Sequence, residues 1–203
     1  MVAIQQDAQW HQRTIFTINA ILSASLGLFC ACIWLMRRHE SALGWYVVAS
    51  MSWLAFLYNI LATETGPFPN AGMFFQSHIM AFVLYTWGFC IFSWRFVQYA
   101  NKRLEQVLNL ITIVMIAFIW LMPLQYQALN LSAIFLTCVL ILNANGVCIS
   151  ILGWRSRELE SKLLAITLMT CILLAVLSLL GFYQIVDVPS HLLSYTSLLF
   201  TLF

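Results

Sequence analysis

Long apolar runs alternate along the chain with short polar stretches. Six runs, residues 14–36, 42–62, 72–96, 107–124, 129–153 and 163–186, are 18 to 25 residues long, and a seventh occupies 192–203. A hydrocarbon core of about 30 Å needs ~20 helical residues at ~1.5 Å each. Backbone groups in lipid must bond within their own segment, so runs of this length predict helices. Strands of ~10 residues with alternating polarity, the mark of an outer-membrane barrel, are missing from the pattern. The expected fold is therefore all-α: a polytopic helical membrane bundle of six complete transmembrane helices plus a truncated seventh. The twelve residues Leu192 to Phe203 reach only about 18 Å as a helix. The expectation is that residues 1–203 form a single transmembrane domain of something longer, with a cytoplasmic output domain outside this chain.

Charge position orients the runs. Arg37 and Arg38 follow the first, Arg95, Lys102 and Arg103 close the third, and Arg155, Arg157 and Lys162 follow the fifth. Eight of nine Lys and Arg residues thus fall on one side, with Arg13 alone on the other. The positive-inside rule makes that side cytoplasmic and the N-terminus external, with 37–41, 101–106 and 155–162 as cytoplasmic loops. Trp34, Trp45, Trp94 and Trp154 then read as anchors at the inner headgroups, and Trp10, Tyr126 and Tyr183 as outer ones. Loops of at most about a dozen residues leave no room for a folded external domain.

Composition sharpens this picture. Hydrophobic residues make up 63% of the chain and charged ones 8%, against roughly 25% charged in soluble domains. Lipid must be the solvent. The polar start, Met1 to Arg13, lacks the basic and short apolar regions of a cleavable signal peptide. No basic face supports nucleic-acid binding. All six cysteines lie inside apolar runs without CxxC spacing, where cysteine acts as a small apolar filler. Expected partners are the bilayer, a small-molecule or lipid-like ligand and a second copy in a homodimer, with no nucleic acid.

Ionisable groups within a membrane are the first suspects for function, because each costs ~2.5–3.5 kcal/mol at the bilayer centre when charged. His78 is the one such group, about 25 Å from Arg95 by helical rise. Tyr85 follows it at i+7, and Trp45, Ser52 and Asn59 repeat at seven-residue spacing on the second run. His78, Asn59, Gln76, Tyr85 and Ser52 are therefore candidate ligand-binding residues around an outward-opening pocket, rimmed by Tyr183, Asp187, His191 and Trp10. Recognition of a small amphipathic ligand by a few polar groups among aromatic rings is one reading. An interhelical hydrogen bond that only holds helices together is the other. Bis-histidine haem ligation would need a second imidazole at the depth of His78, and His11, His39 and His191 sit in loops or at interfaces. No cofactor is expected, and no metal, since all seven acids lie in loops or at helix ends.

A second polar group comprises Asn143, Asn145, Ser150 and Asn109. The stretch Asn143-Ala-Asn-Gly146 is a candidate relay that loosens the fifth helix. Gly27, with Ser23 and Ala31, forms a small-residue stripe for close helix approach. No nucleophile–base pair, phosphate loop or metal-ligand spacing is present, so no enzyme active site is expected in these residues.

Three stretches carry a resemblance. One is Trp34-Leu-Met-Arg-Arg38 leading through Leu43-Gly-Trp-Tyr46 to Trp53-Leu-Ala-Phe-Leu-Tyr-Asn59. Another is Phe92-Ser-Trp-Arg-Phe96 followed by Asn101-Lys-Arg-Leu-Glu105, and the third is residues 155–164 with Leu192-Leu-Ser-Tyr195. Their order resembles the multi-pass, seven-helix membrane sensor region of bacterial sensor histidine kinases; similar regions precede diguanylate cyclase domains. The resemblance implies an input module that detects a small or lipid-like signal and relays a helix shift to an output domain. The chain departs from the kinase pattern in having neither a phosphoacceptor-histidine helix nor an ATP-binding domain. A small-molecule transporter or carrier is the alternative, though runs one to three and four to six share no repeat of polar or breaking positions. A structural or assembly subunit is the third class.

Overall fold

The structure is a computed structural model. It describes residues 2–62, 68, 70–99, 101–121, 127–156 and 159–182, with side chains over 13–62, 68, 70–99, 101–121, 130–156 and 159–173. The seventh apolar run, Tyr126, Tyr183, Asp187, His191 and the side chain of Trp10 lie outside the described residues.

Among the described residues six helices follow one another: α1 Val2–Met36, α2 Ser41–Leu61, α3 Ala71–Phe96, α4 Lys102–Leu121, α5 Gln127–Arg155 and α6 Leu159–Phe182. There is no strand among the described residues. Five helices are long and apolar enough to cross a membrane: Arg13–Met36 of α1, α2, α3, α4 and Asn130–Arg155 of α5. The protein is a helical membrane protein.

The helices overrun the apolar runs that predict them. α1 already starts at Val2, and Lys102, Arg155 and Lys162, expected in loops, lie within α4, α5 and α6. Hydropathy marks where lipid-compatible side chains stop. The hydrogen-bond ladder continues through Lys, Arg, Glu and Gln, which are good helix formers.

Local signals end the helices. The Asn70 side chain accepts from Met73 N at 2.8 Å and caps α3. Asn101 Oδ1 accepts from Arg103 N at 3.1 Å and Leu104 N at 3.4 Å at the start of α4. At the end of α3, Tyr99 N donates to Trp94 O at 2.8 Å and Gln98 N to Arg95 O at 3.2 Å. This is a Schellman closure with a left-handed residue, here Gln98 at φ 57° rather than the usual glycine.

Two compact units divide the chain: residues 24–145, and residues 1–23 with 146–203. In the first, α3 is the central element and is buried along most of its length from Ile79 to Trp94. α2 runs antiparallel to it, as the ring pairs Phe56–Phe82, Trp53–Tyr85 and Tyr46–Phe92 show by their reversed order. Backbones approach closely at Gly88, where an added Cβ would lie 3.1 Å from Ala49 N. Gly27 meets a side chain instead, a Cβ there lying 2.5 Å from Ser50 Oγ. The small-residue stripe on α1 thus faces a neighbouring helix at Gly27. Leu28 beside it is 68% exposed. α4 buries only Leu108, Thr112 and Ile119 and presents an apolar outer face, including Leu110, Ile113 and Trp120, suited to lipid.

In the second unit, α5 and α6 form an antiparallel pair. Gly153 abuts Ser161 O, Ser150 Oγ donates to Ala165 O at 3.2 Å, and Gly146 abuts Ile172. Gly146, Ser150 and Gly153 therefore make a small-residue stripe of their own. α5 is helical without interruption through Asn143 and Gly146. The expected loosening there is absent, because Gly146 sits against Ile172 and Asn143 Nδ2 donates back to Val139 O at 2.7 Å.

Candidate functional site

Within the unit of residues 24–145, polar side chains gather at two places along α3. One is near its N-terminal half, around His78. α2 contributes Trp53 and Phe56, one helical turn apart and hence on one face. α3 contributes His78, Phe82 and Tyr85 by the same spacing. Phe56 stacks on His78 with centroids 4.3 Å apart and 21° between planes. It also stacks on Trp53 at 5.2 Å and 23°. Phe82 stacks on Phe135 of α5 at 4.6 Å, and Trp53 lies 4.9 Å from Tyr85. Phe75, an exposed residue, lies 6.3 Å from the imidazole and nearly parallel to it.

Two polar atoms inside this ring cluster have no hydrogen-bond partner: Trp53 Nε1 and His78 Nδ1, both buried. An indole N–H can only donate, whereas an imidazole nitrogen donates or accepts according to tautomer. Leaving such a group dry and unpaired costs about 1–3 kcal/mol. Each such group in a folded core calls for a specific account, such as a water or ligand that supplies the missing partner.

The other predicted residues divide around this cluster. Asn59 is buried, but its Nδ2 donates to Ser77 Oγ at 3.4 Å, next in sequence to His78. Gln76 Nε2 donates to Ile119 O of α4 at 3.1 Å and so faces away from Asn59's partner. Ser52 Oγ bonds Val48 O within its own helix at 2.9 Å. Tyr85 is buried within the cluster, against Trp53 and Phe89. The structure therefore brings His78 and Tyr85 into one aromatic group, sets Asn59 at its edge, and gives Gln76 and Ser52 other bonds. Trp53 and Phe56 were not among the predicted residues. Their signal was the i, i+3 spacing of two large rings opposite His78, which periodicity cannot distinguish from ordinary packing.

The second polar place is near the C-terminal end of α3. Trp94 Nε1 donates to Asn145 Oδ1 at 2.7 Å, Asn145 Nδ2 donates to Ser93 Oγ at 2.9 Å, and Ser93 Oγ donates to Cys90 O at 2.9 Å. Each named group in this chain has its partner, which ties α5 to α3. Trp94, expected as a headgroup anchor, is buried instead. Next in sequence to Trp94, Arg95 pairs with Glu105 at 2.9 Å, and two turns back Trp87 Nε1 donates to Asn109 Oδ1 at 2.7 Å. The four residues expected as one inner polar group thus have separate partners: Asn145 with Trp94, Asn109 with Trp87, Asn143 with Val139 and Ser150 with Ala165. Among the described residues, no three His, Cys, Asp or Glu side chains gather to hold a metal ion.

No protein-family model, curated protein or solved structure matches this chain.

Proposed function

We propose that the chain is a membrane-embedded signal-input module of a bacterial two-component sensor histidine kinase. It takes up a small or lipid-like signal at the ring cluster of α2 and α3 and passes a helix displacement to a cytoplasmic output domain. In this reading the N-terminus is external and the membrane is the bacterial inner one. The eight-to-one distribution of Lys and Arg supports the orientation. The observation that carries the reading is the pair of unpartnered buried groups, Trp53 Nε1 and His78 Nδ1. Packing alone would be served as well by Phe at both positions. The satisfied Trp94–Asn145–Ser93 chain is the natural relay, since it ties α3 to α5 at the far end of the same helix.

The test uses the gene's full product in native membranes. His78→Ala and Asn59→Ala are expected to change phosphotransfer output while membrane abundance stays near wild type. A full product without kinase or cyclase activity, or unchanged output from both variants, would refute the reading. Orientation is checked separately with Ser156→Cys in a background lacking the native cysteines. An impermeant maleimide should reach it only after the cells are opened.

A further inference from the structure

The imidazole of His78 differs from the other rings around it in one respect: it can take up a proton and become charged. Phe56, reaching from α2, stacks on it at 4.3 Å and 21°, so this ring is one half of a contact between α2 and α3. The residue is half-buried, yet its Nδ1 is buried without a hydrogen-bond partner. An imidazolium donates from both nitrogens, whichever tautomer preceded it. A proton therefore makes Nδ1 a charged donor facing no acceptor, the costlier state in a dry contact.

Among the described residues, no charged group faces this ring to offset that cost. α2 brings Phe56 and, through Ser77, Asn59. α3 itself brings Phe75 and, one turn on, Phe82. Tyr85, two turns on, is a phenol and stays neutral in acid. α4 brings the Ile119 carbonyl, which accepts from Gln76, and α5 brings Phe135 to Phe82. The ion pair of Arg95 and Glu105 is about 25 Å further along α3 by helical rise. Glu64, on the connection from α2 to α3, lies outside the described residues.

The helix also gives a charged ring a way out. His78 is about 10 Å from Ala71, the first residue of α3, and Cα–Cβ bonds lean toward a helix's N-terminus. The 26 residues of α3 make ~39 Å of helix against a hydrocarbon core of about 30 Å. A protonated ring that turns along its own lean thus reaches toward the nearer headgroups.

We propose that His78 is a proton-operated latch between α2 and α3: the neutral imidazole stacks on Phe56 and holds the contact, and protonation releases it. The proton adds to a ring nitrogen, and no other bond is made or broken. Acid on the side of the α3 N-terminus loosens α2 from α3 there, and alkali restores the stack.

The test places the whole chain in nanodiscs with 13C-labelled histidine and a 4-fluoro label on Phe56. The pH is lowered from about 8 to about 4, across the ordinary imidazole value of ~6.5. The 19F resonance should move with the slope of one proton and with the same midpoint as the His78 ring carbons. In His78→Phe, which keeps a flat ring and takes no proton, it should stay fixed. Glu64→Gln should keep the transition. The Trp94 indole 1H–15N resonance, at the other end of α3, should not move with it.

A 19F resonance that stays fixed while His78 titrates, or moves equally in His78→Phe, would overturn the latch. So would a His78 ring that never titrates, or loss of the transition in Glu64→Gln. A Trp94 resonance with the same midpoint would do so as well, since it would report general acid unfolding. These outcomes leave the output test on His78 and Asn59 unaffected, so the latch and the sensing role fail separately.

Discussion

Trp94 and Trp53 sit in the same unit, each 8% exposed, with one indole N–H apiece. Trp94 donates to Asn145 at 2.7 Å within a chain of bonds that closes on the backbone at Cys90. Trp53 donates to nothing, and Phe56, which stacks on it, also stacks on His78, whose Nδ1 is equally unpaired. Burial is alike; the hydrogen-bond account is not. A closed network adds stability and holds α3 to α5 in one register. An open one costs stability. On the proposed function, the two ends of α3 divide the work of holding and of receiving.

The most damaging change to both places together is Gly88→Leu. Gly88 faces the backbone of Ala49 between them, and backbone cannot turn aside as a side chain can. We expect a loss of more than about 3 kcal/mol, or failure to accumulate in the membrane, read by thermal unfolding in detergent. Gly27→Leu should cost less, since Ser50 Oγ can rotate away, but more than Leu28→Ala on the lipid face. Equal, negligible effects of those two would mean that α1 does not pack there.

Next comes the closed end itself. Asn145→Leu keeps the volume but leaves Trp94 N–H without its acceptor, and should cost about 1–3 kcal/mol. Because the residues act as a unit, Asn145→Leu with Trp94→Phe should cost less than the sum of the two alone, by about 1 kcal/mol. Additive effects in that cycle would break the comparison at this end.

At the open end the expectation is reversed. His78→Phe and Trp53→Phe remove groups that already lack partners, so each should leave stability within about 0.5 kcal/mol of wild type or raise it. A loss as large as that of Asn145→Leu would show that both ends are structural. The smallest effect is at the α3 terminus. Gln98→Gly relieves a left-handed residue and should stabilise by at most about 1 kcal/mol, without altering either polar site.

Much of this was legible before any coordinates. The apolar runs located six helices to within a few residues at most ends, and Ser23-x-x-x-Gly27 marked a contact face. Helical rise placed Asn59 and His78 at similar depth, and Asn59 indeed bonds Ser77. Helical rise does not foretell the partner of Asn145. It lies ten residues before Arg155 and yet bonds Trp94, one residue before Arg95. Charged residues end their helices at different levels, so distance to the nearest arginine does not measure depth.

Helix number, length and the stripes along them follow from hydropathy and backbone bonding, which act locally and need only the sequence. Which polar groups meet depends on rotation and register between helices, set by the packing of small residues such as Gly88 against Ala49. Two buried tryptophans look alike in a string of letters. Folding gave one an asparagine and the other a face of rings, because α5 brings Asn145 to the end of α3 while α2 brings only Phe56 to His78.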